Sequence, residues 1–184
     1  QRLASSSFTT QANIDTRVPV SIAFASCADE TAATGEVWRR IRLEKADALV
    51  LLGDTPYIDT TDLSKQRERY KAFAVAPEFA RLVCQTPVYS TWDDHDFGLN
   101  DTDGRLPGKE NSRQAFLESR PNPNYGEDDL GIYTNFRIGD VEVFLLDARW
   151  FARTEPSHFN AEEMSLLGKQ QWDWLKKHLA ESTA

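Results

Sequence analysis

The chain has 184 residues, of which 40% are hydrophobic and 11% aromatic, so one domain with a substantial core is expected. Its 29 acidic and 21 basic residues give a formal net charge of −8, which argues against non-specific nucleic-acid binding because such binding needs a basic face. The negative net charge does not exclude an anionic substrate, since a bound dication can make the local charge of a site positive.

The N-terminal residues differ in character from the rest of the chain. Residues 1–17 are polar and small and are predicted to be a linker or a processed segment, whereas residues 18–184 are predicted to form one domain. No signal peptide is recognised at Gln1, and no apolar stretch is long enough to span a bilayer. The two cysteines, Cys27 and Cys84, are too few for a disulfide framework, although they could form one bridge.

The first half of the domain alternates predicted strands with predicted helices. Short apolar runs rich in β-branched residues predict three strands, at 18–26, 48–52 and 87–92. The second run is uninterrupted, which is typical of a strand buried on both faces. Helical spacing predicts helices over 36–45 and 63–84, with a break or bend near Pro77 in the second. This alternation indicates a layered α/β fold with at least partly parallel strands.

The second half shows a different pattern. A helix is predicted over 109–119, and the runs 132–138 and 141–146 flank a two-residue turn, which predicts an antiparallel hairpin. A last helix is predicted over 161–179. In a layered α/β fold this helix should lead into another buried strand, so we expect the domain to be incomplete at its C-terminus.

Each of the three early strands is followed by a loop that carries polar or acidic side chains. In chain order the loops contain Cys27, then Asp54 and Tyr57, and then the run Asp93-Asp94-His95-Asp96. Because ligand sites of α/β sheets lie outside the carboxyl ends of the strands, we expect five of these side chains to share one pocket, namely Cys27, Asp54, Tyr57, Asp94 and His95. Carboxylate, imidazole and thiolate groups are metal ligands, and bridging carboxylates allow two metals to lie about 3.5–4 Å apart and activate water.

These residues also have structural interpretations. A Gly-Asp pair after a strand is a common turn, so Asp54 by itself would more often be structural, and Cys27 is more often a small buried hydrophobe than a ligand. The Asp-rich run is harder to explain as a turn, because three carboxylates in four residues repel each other unless they are solvated or bind a cation. A hydrolase with Cys27 as its nucleophile is disfavoured, since the sequence places no histidine near it.

Several short motifs succeed one another in a characteristic order from about Val20 onward. They are Ala25-Ser-Cys27, Leu52-Gly-Asp-Thr-Pro-Tyr57, Thr91-Trp-Asp-Asp-His-Asp96, Asn111-Ser-Arg113, Gly131-Ile-Tyr133, Leu146-Asp-Ala-Arg149 and Leu167-Gly-Lys-Gln-Gln-Trp172. Individually they are weak, but their order and spacing resemble the alkaline phosphatase D family of calcineurin-like metallophosphoesterases. The resemblance implies a layered β-sandwich flanked by helices, of which this chain would supply the N-terminal half and would need the C-terminal half as its partner.

The resemblance also implies roles for individual residues. The implied metal ligands are Cys27, Asp54, Tyr57 and Asp94. His95 would face the substrate as a general acid or phosphate hydrogen-bond donor, and Asp96 would orient it. Asn111 and Arg113 would contact metal or phosphate. Arg149 could pair bidentately with phosphate or simply with a nearby carboxylate, and both interpretations stay open.

The implied activity is hydrolysis of a phosphate mono- or diester by metal-activated water at an Asp/His/Cys/Tyr site. Two or more metal ions are implied, iron and calcium first, with manganese, magnesium or zinc as alternatives. The family's remaining histidine ligands lie in its C-terminal half, so a non-catalytic or truncated metal-binding homologue is the alternative function. Members of this family are usually exported, which implies a secreted or periplasmic location.

Overall fold

The computed structural model describes residues 19–184, and the predicted linker over 1–17 lies outside the described residues. The first half forms a three-stranded parallel sheet of order β1-β2-β3, whose strands are β1 (Ile22–Ala25), β2 (Ala48–Leu52) and β3 (Val88–Thr91). The central strand β2 is buried along its first four residues, as its uninterrupted apolar run predicts. All three strands run in the same direction, so their carboxyl ends meet at one edge of the sheet.

Three helices connect these strands: α1 (Ala32–Glu44), α2 (Leu63–Ala74) and α3 (Pro77–Val83). Helix α1 begins earlier than the predicted residue 36 because Thr31 caps it, accepting a hydrogen bond from the Thr34 amide at 3.3 Å. The helix predicted over 63–84 is divided in two where Pro77 occupies the start of α3, a position that suits proline because no intrahelical donor is lost there.

The second half contains a one-turn helix α4 (Asp94–Phe97), then α5 (Lys109–Ser119), the antiparallel pair β4 (Thr134–Ile138) and β5 (Val141–Leu145), and α6 (Gly168–Glu181). The predicted bounds of α5 are confirmed, but the last helix begins at Gly168 rather than at 161. The backbone of Ser165 instead pairs with Arg153 and Glu155 at 2.8 Å each, which holds the segment before α6 in an irregular turn.

The parallel sheet is covered on both faces. Leu49 and Leu51 of β2 face a cluster formed by the helices, which includes Trp38, Phe79 and Leu82. Ala48 and Val50 face the hairpin through Phe136, Ile138 and Leu145. A third, largely aromatic cluster around Trp92 and Phe116 extends to α6. The result is the layered α/β architecture that the sequence predicts, with a hairpin stacked on one face of the sheet.

Within residues 19–184, no helix is both long enough and apolar enough to cross a membrane.

Candidate metal centre

The loops after the three parallel strands meet in one acidic cluster. Candidate ligand atoms of Asp54, Asp94 and His95 all lie within 4.8 Å of one another. Cys27 Sγ lies 3.8 Å from Asp54 Oδ2, and the Tyr57 ring centroid lies 4.6 Å from that of His95. The structure therefore brings together all five side chains that the strand-end argument places in one pocket.

Unusual backbone conformations shape these loops. Cys27 and Asp54 adopt φ values of 54° and 53°, in the left-handed region that few non-glycine residues occupy, and such strain often accompanies functional sites. Gly53 has φ 102°, and a Cβ atom there would lie 2.3 Å from the Asp93 amide nitrogen. Only glycine therefore allows the loop after β2 to approach the loop after β3. The Ala28 amide donates to the Asp54 carbonyl at 2.9 Å, which joins the loop after β1 to the same place.

The pKa shifts within the cluster are those expected where carboxylates lie close together and a cation could bind between them. Burial, together with the charges of Asp93 and Asp94, raises the pKa of Asp54. Burial and the neighbouring Cys27 thiol raise the pKa of Tyr57 to about 12, so a phenolate at Tyr57 would need a nearby positive charge. Thiol, phenol, imidazole and carboxylate groups placed this closely form a donor set that could hold a metal ion. A bound cation would also relieve the repulsion between the carboxylates.

Both the backbone and the ring of His95 are hydrogen-bonded to neighbouring residues. Its carbonyl accepts hydrogen bonds from the amides of Ile58 and Asp59 at 3.0 Å each, and its own amide donates to Asp54 Oδ1 at 3.3 Å. Its ring nitrogen Nδ1 lies 2.6 Å from Asp59 Oδ1. Burial alone would lower the pKa of His95, but the hydrogen bond to Asp59 and the nearby carboxylates raise it. Because Nδ1 faces Asp59, Nε2 is the ring nitrogen available to a ligand.

Asp96 does not make the contact with His95 that the family resemblance implies. It is the third residue of α4, where its side chain reaches back to accept from the Asp93 amide at 2.6 Å in a capping box. It also accepts from the Asp54 amide, and burial raises its pKa to about 7. Asp96 therefore lies behind the cluster and joins the loops after β2 and β3, while Asp59 makes the contact with the imidazole.

Asp59 is the residue of this cluster that sequence reasoning missed. It lies two residues after Tyr57, has φ 58° and is outside any helix or strand, so no periodicity singles it out. The one available signal was an additional acid in a loop that already carried two candidate ligands.

Arg149 lies at the edge of the cluster. Its Nε donates to Asp93 Oδ1 at 2.6 Å, and its Nη2 lies 3.7 Å from Asp94 Oδ1. Its Nη1 donates to the Thr102 carbonyl at 3.0 Å. Of the two interpretations of Arg149, the structure displays the pairing with nearby carboxylates, at a position beside the candidate ligands.

Asn111 and Arg113 are engaged elsewhere. The Asn111 amide group donates to the Thr61 carbonyl at 3.1 Å. Arg113 donates to the carbonyls of Gly131 and Tyr125 at 2.8 and 3.1 Å. Among the described residues, neither side chain has a hydrogen bond or ion pair to the acidic cluster, so their contact with metal or phosphate stays a prediction.

Comparison with known proteins identifies the family of this chain. The profile of the PhoD-like phosphatases matches residues 22–184. Alkaline phosphatase D of Bacillus subtilis (strain 168) is 24% identical over 212 aligned residues, which cover 90% of this chain and 36% of that protein. A solved structure of PhoD matches with a TM-score of 0.73 and 23% identity, over 96% of this chain and 42% of that one, which confirms the predicted fold. The chain thus spans less than half the length of these two relatives, and it belongs to the PhoD-like phosphatase family.

Proposed function

We propose that this chain carries the metal-binding core of a metal-dependent phosphoesterase that hydrolyses phosphate mono- or diesters. The observation that carries the proposal is the convergence of Asp54, Asp94 and His95 within 4.8 Å at the strand ends, where Cys27 and Tyr57 also lie. Membership of the PhoD-like phosphatase family supports the reaction class. A secreted or periplasmic location is part of the proposal on the family resemblance alone.

The proposed metal ligands are Cys27, Asp54, Tyr57 and Asp94. A metal bound there would act as a Lewis acid toward phosphate and lower the pKa of a water molecule. Thiolate and phenolate ligands favour iron, whereas the carboxylates suit calcium, manganese or magnesium, so the proposal includes two or more ions of different character.

The remaining side chains would act on the substrate directly. His95 would donate a proton or a hydrogen bond from Nε2 to a phosphate-ester oxygen, because Asp59 accepts from Nδ1 and fixes the ring orientation. Arg149 would exchange its partner Asp93 for a phosphate oxygen when substrate enters, since a guanidinium can pair with either anion. Asp96 would hold the two ligand loops together rather than contact substrate.

Hydrolysis assays test the proposal. The assay compares the wild type and Asp54→Asn on p-nitrophenyl phosphate and bis(p-nitrophenyl) phosphate, with iron, calcium and manganese supplied. Asp173→Asn is the matched control, because Asp173 is a carboxylate of α6 that pairs with Lys169 and Lys176. We expect Asp54→Asn to fall to the buffer rate while the control retains wild-type activity. Hydrolysis by Asp54→Asn at the wild-type rate would refute the assignment, and the ratio of the two substrates gives the ester preference.

A non-catalytic metal-binding module is the second candidate function. It is favoured by the scarcity of imidazole ligands, because only one of the chain's three histidines lies in the cluster. His158 is exposed, and His178 Nδ1 lies 2.9 Å from the Trp174 carbonyl on α6. Metal binding by the wild type without hydrolysis of either ester would support this candidate, whereas hydrolysis that Asp54→Asn abolishes would exclude it.

A further inference from the structure

Arg120 is a buried cation directly behind the candidate metal centre. It lies just after α5 and is 6% exposed. Its Nη2 donates to the carbonyl of Thr55, and its guanidinium carbon lies 5.1 Å from the ring centroid of Tyr70 and 5.5 Å from that of Phe73. Burial lowers the pKa of Arg120, and the acidic groups of Tyr70 and Asp96 oppose that shift. The guanidinium therefore lies against two aromatic rings and is hydrogen-bonded to one carbonyl group.

The carbonyl that Arg120 contacts and the carboxyl group of Asp96, whose charge raises the pKa of Arg120, both belong to the ligand loops. Thr55 lies between the proposed ligands Asp54 and Tyr57, so a bond to its carbonyl acts on the backbone that carries them. Asp96 accepts from the amides of Asp93 and Asp54, and it thereby joins the loop after β3 to the loop after β2. Arg120 thus contacts the segment from which two ligands project and interacts electrostatically with the carboxyl group that joins this segment to the next one.

Fold stability alone does not account for a cation at this position. Burying a guanidinium is unfavourable unless its surroundings compensate it fully, and apolar replacements of buried charged groups are often neutral or stabilising. Compensation here is incomplete: among the described residues the guanidinium has one hydrogen bond, to the Thr55 carbonyl, and no carboxylate within ion-pair distance. The hydroxyl groups of Thr55 and Tyr70 beside it are also buried without a hydrogen-bond partner. Polar groups in that state destabilise a core. The loop that Arg120 holds also contains Asp54 in the left-handed region, which needs external support.

We propose that Arg120 is a positioning residue of the metal centre, which sets the backbone between Asp54 and Tyr57 so that both side chains face the same cation. The inference rests on the proposed function for the identity of the site. It does not depend on turnover, because metal binding itself reports the geometry. Removal of supporting groups behind metal ligands typically weakens metal affinity about 10- to 100-fold.

Cobalt titration tests the inference. Co²⁺ is added to the wild type, Arg120→Met and Arg120→Lys well below their unfolding temperatures, and the thiolate-to-cobalt charge-transfer absorption is recorded as a signal for ligation by Cys27. We expect Arg120→Met to bind Co²⁺ about 10- to 100-fold more weakly. Arg120→Lys should bind with intermediate affinity, because a lysine retains one donor for the Thr55 carbonyl but loses the fixed guanidinium geometry. The lysine variant also supplies the test if the methionine variant does not fold.

Leu82→Ala is the control for general destabilisation. Leu82 is fully buried in the cluster between the sheet and the helices, and none of the proposed metal ligands belongs to that cluster. The variant should therefore unfold more easily and yet bind Co²⁺ like the wild type. Wild-type cobalt affinity in both Arg120 variants would overturn the inference, as would equal losses in Leu82→Ala and Arg120→Met. Absence of cobalt binding in the wild type would instead overturn the proposed function, and the inference with it.

Discussion

The imidazole of His95 is oriented by its contact with the Asp59 carboxylate. Asp59 Oδ1 lies 2.6 Å from His95 Nδ1, although half of the Asp59 side chain is exposed to solvent. Exposed pairs of this kind contribute about 0–1 kcal/mol to the free energy of unfolding. The contact therefore matters chiefly for the orientation of the ring, which leaves Nε2 available for its proposed role toward a substrate.

Asp59→Asn should consequently impair turnover without impairing folding. We expect kcat to fall about 10- to 100-fold, which is the usual effect of removing a group that orients a functional imidazole. The reason is that the neutral amide of asparagine cannot stabilise the protonated ring of His95 as a carboxylate does. Metal content and thermal stability should stay close to those of the wild type. Steady-state kinetics on p-nitrophenyl phosphate, with elemental analysis of the same samples, provide the measurement. An unchanged kcat would show that Asp59 does not support His95 in the reaction.

At the residue scale, the sequence predicts the contacts that arise at strand ends and few of those that arise from tertiary packing. Cys27, Asp54 and His95 could be placed together because parallel strands bring their carboxyl ends to one edge. Asp59 and Arg120 could not, because their partners are distant in sequence and neither residue lies in a periodic pattern. Arg120 lies 65 residues from Thr55, whose carbonyl it contacts.

At the scale of single elements, β2 shows how strand alternation sets burial. Leu51 is fully buried and packs in the cluster formed with α1, α2 and α3, whereas its neighbour Leu52 points to the opposite face and is 43% exposed. The uninterrupted apolar run predicts a strand buried on both faces, which holds for the first four residues. The fifth residue lies at the edge where the ligand loops begin.

This difference gives a matched pair of substitutions. Leu51→Ala should lower the free energy of unfolding by about 2–5 kcal/mol, because it leaves a cavity in a packed cluster. Leu52→Ala should lower it by much less, since the side chain is already half hydrated. Urea denaturation of the two variants and the wild type measures the difference. Equal destabilisation by the two substitutions would contradict the packing described for this strand.

The elements with strong local signals are those that the sequence predicts best. The bounds of β2 and α5 are confirmed, and the break at Pro77 is confirmed because proline is excluded from a helix interior. The residues before α6 have helical spacing, yet they are not helical, since the Ser165 backbone pairs with a distant turn instead. Such pairing is a tertiary effect that a periodicity of apolar residues cannot report.

At the scale of the whole molecule, Asp147 joins the two halves of the fold. Its fully buried carboxylate accepts from the Trp92 indole at 2.8 Å, the Ile132 amide at 3.0 Å and the Trp150 amide at 2.9 Å. Its backbone exchanges two hydrogen bonds with the Gln171 side chain of α6, at 2.7 and 2.8 Å. Burial raises the pKa of Asp147, and these donors oppose that shift. Asp147 therefore connects the end of β3 and the segment before the hairpin through its side chain, and the last helix through its backbone.

Asp147→Ala should destabilise the whole fold. It leaves the Trp92 indole and several amides buried without an acceptor, and each such group costs about 1–3 kcal/mol, so we expect a loss of at least about 3 kcal/mol. Asp173→Ala, on the exposed face of α6, is the control and should change stability by less than about 1 kcal/mol. Thermal and urea unfolding measure both. A loss for Asp147→Ala no larger than that of the control would contradict its connecting role.

Family membership and layered architecture could be predicted at this scale because the motifs are distributed along the described chain in a fixed order. The relatives are more than twice as long as the region they share with this chain, which spans 36% of the Bacillus protein and 42% of the solved structure. The candidate metal centre lies wholly within this shared region, so the metal content of the chain tests it before any assay of turnover.

The most direct measurement is elemental mass spectrometry of the purified chain, side by side with Asp54→Asn and the exposed-carboxylate control Asp173→Asn. We predict iron together with a second metal in the wild type and in the control, and loss of both metals in Asp54→Asn, because Asp54 lies between Cys27 and the Asp94–His95 pair. No metal above background in the wild type, or equal metal in Asp54→Asn, would contradict the assignment of this cluster as a metal centre.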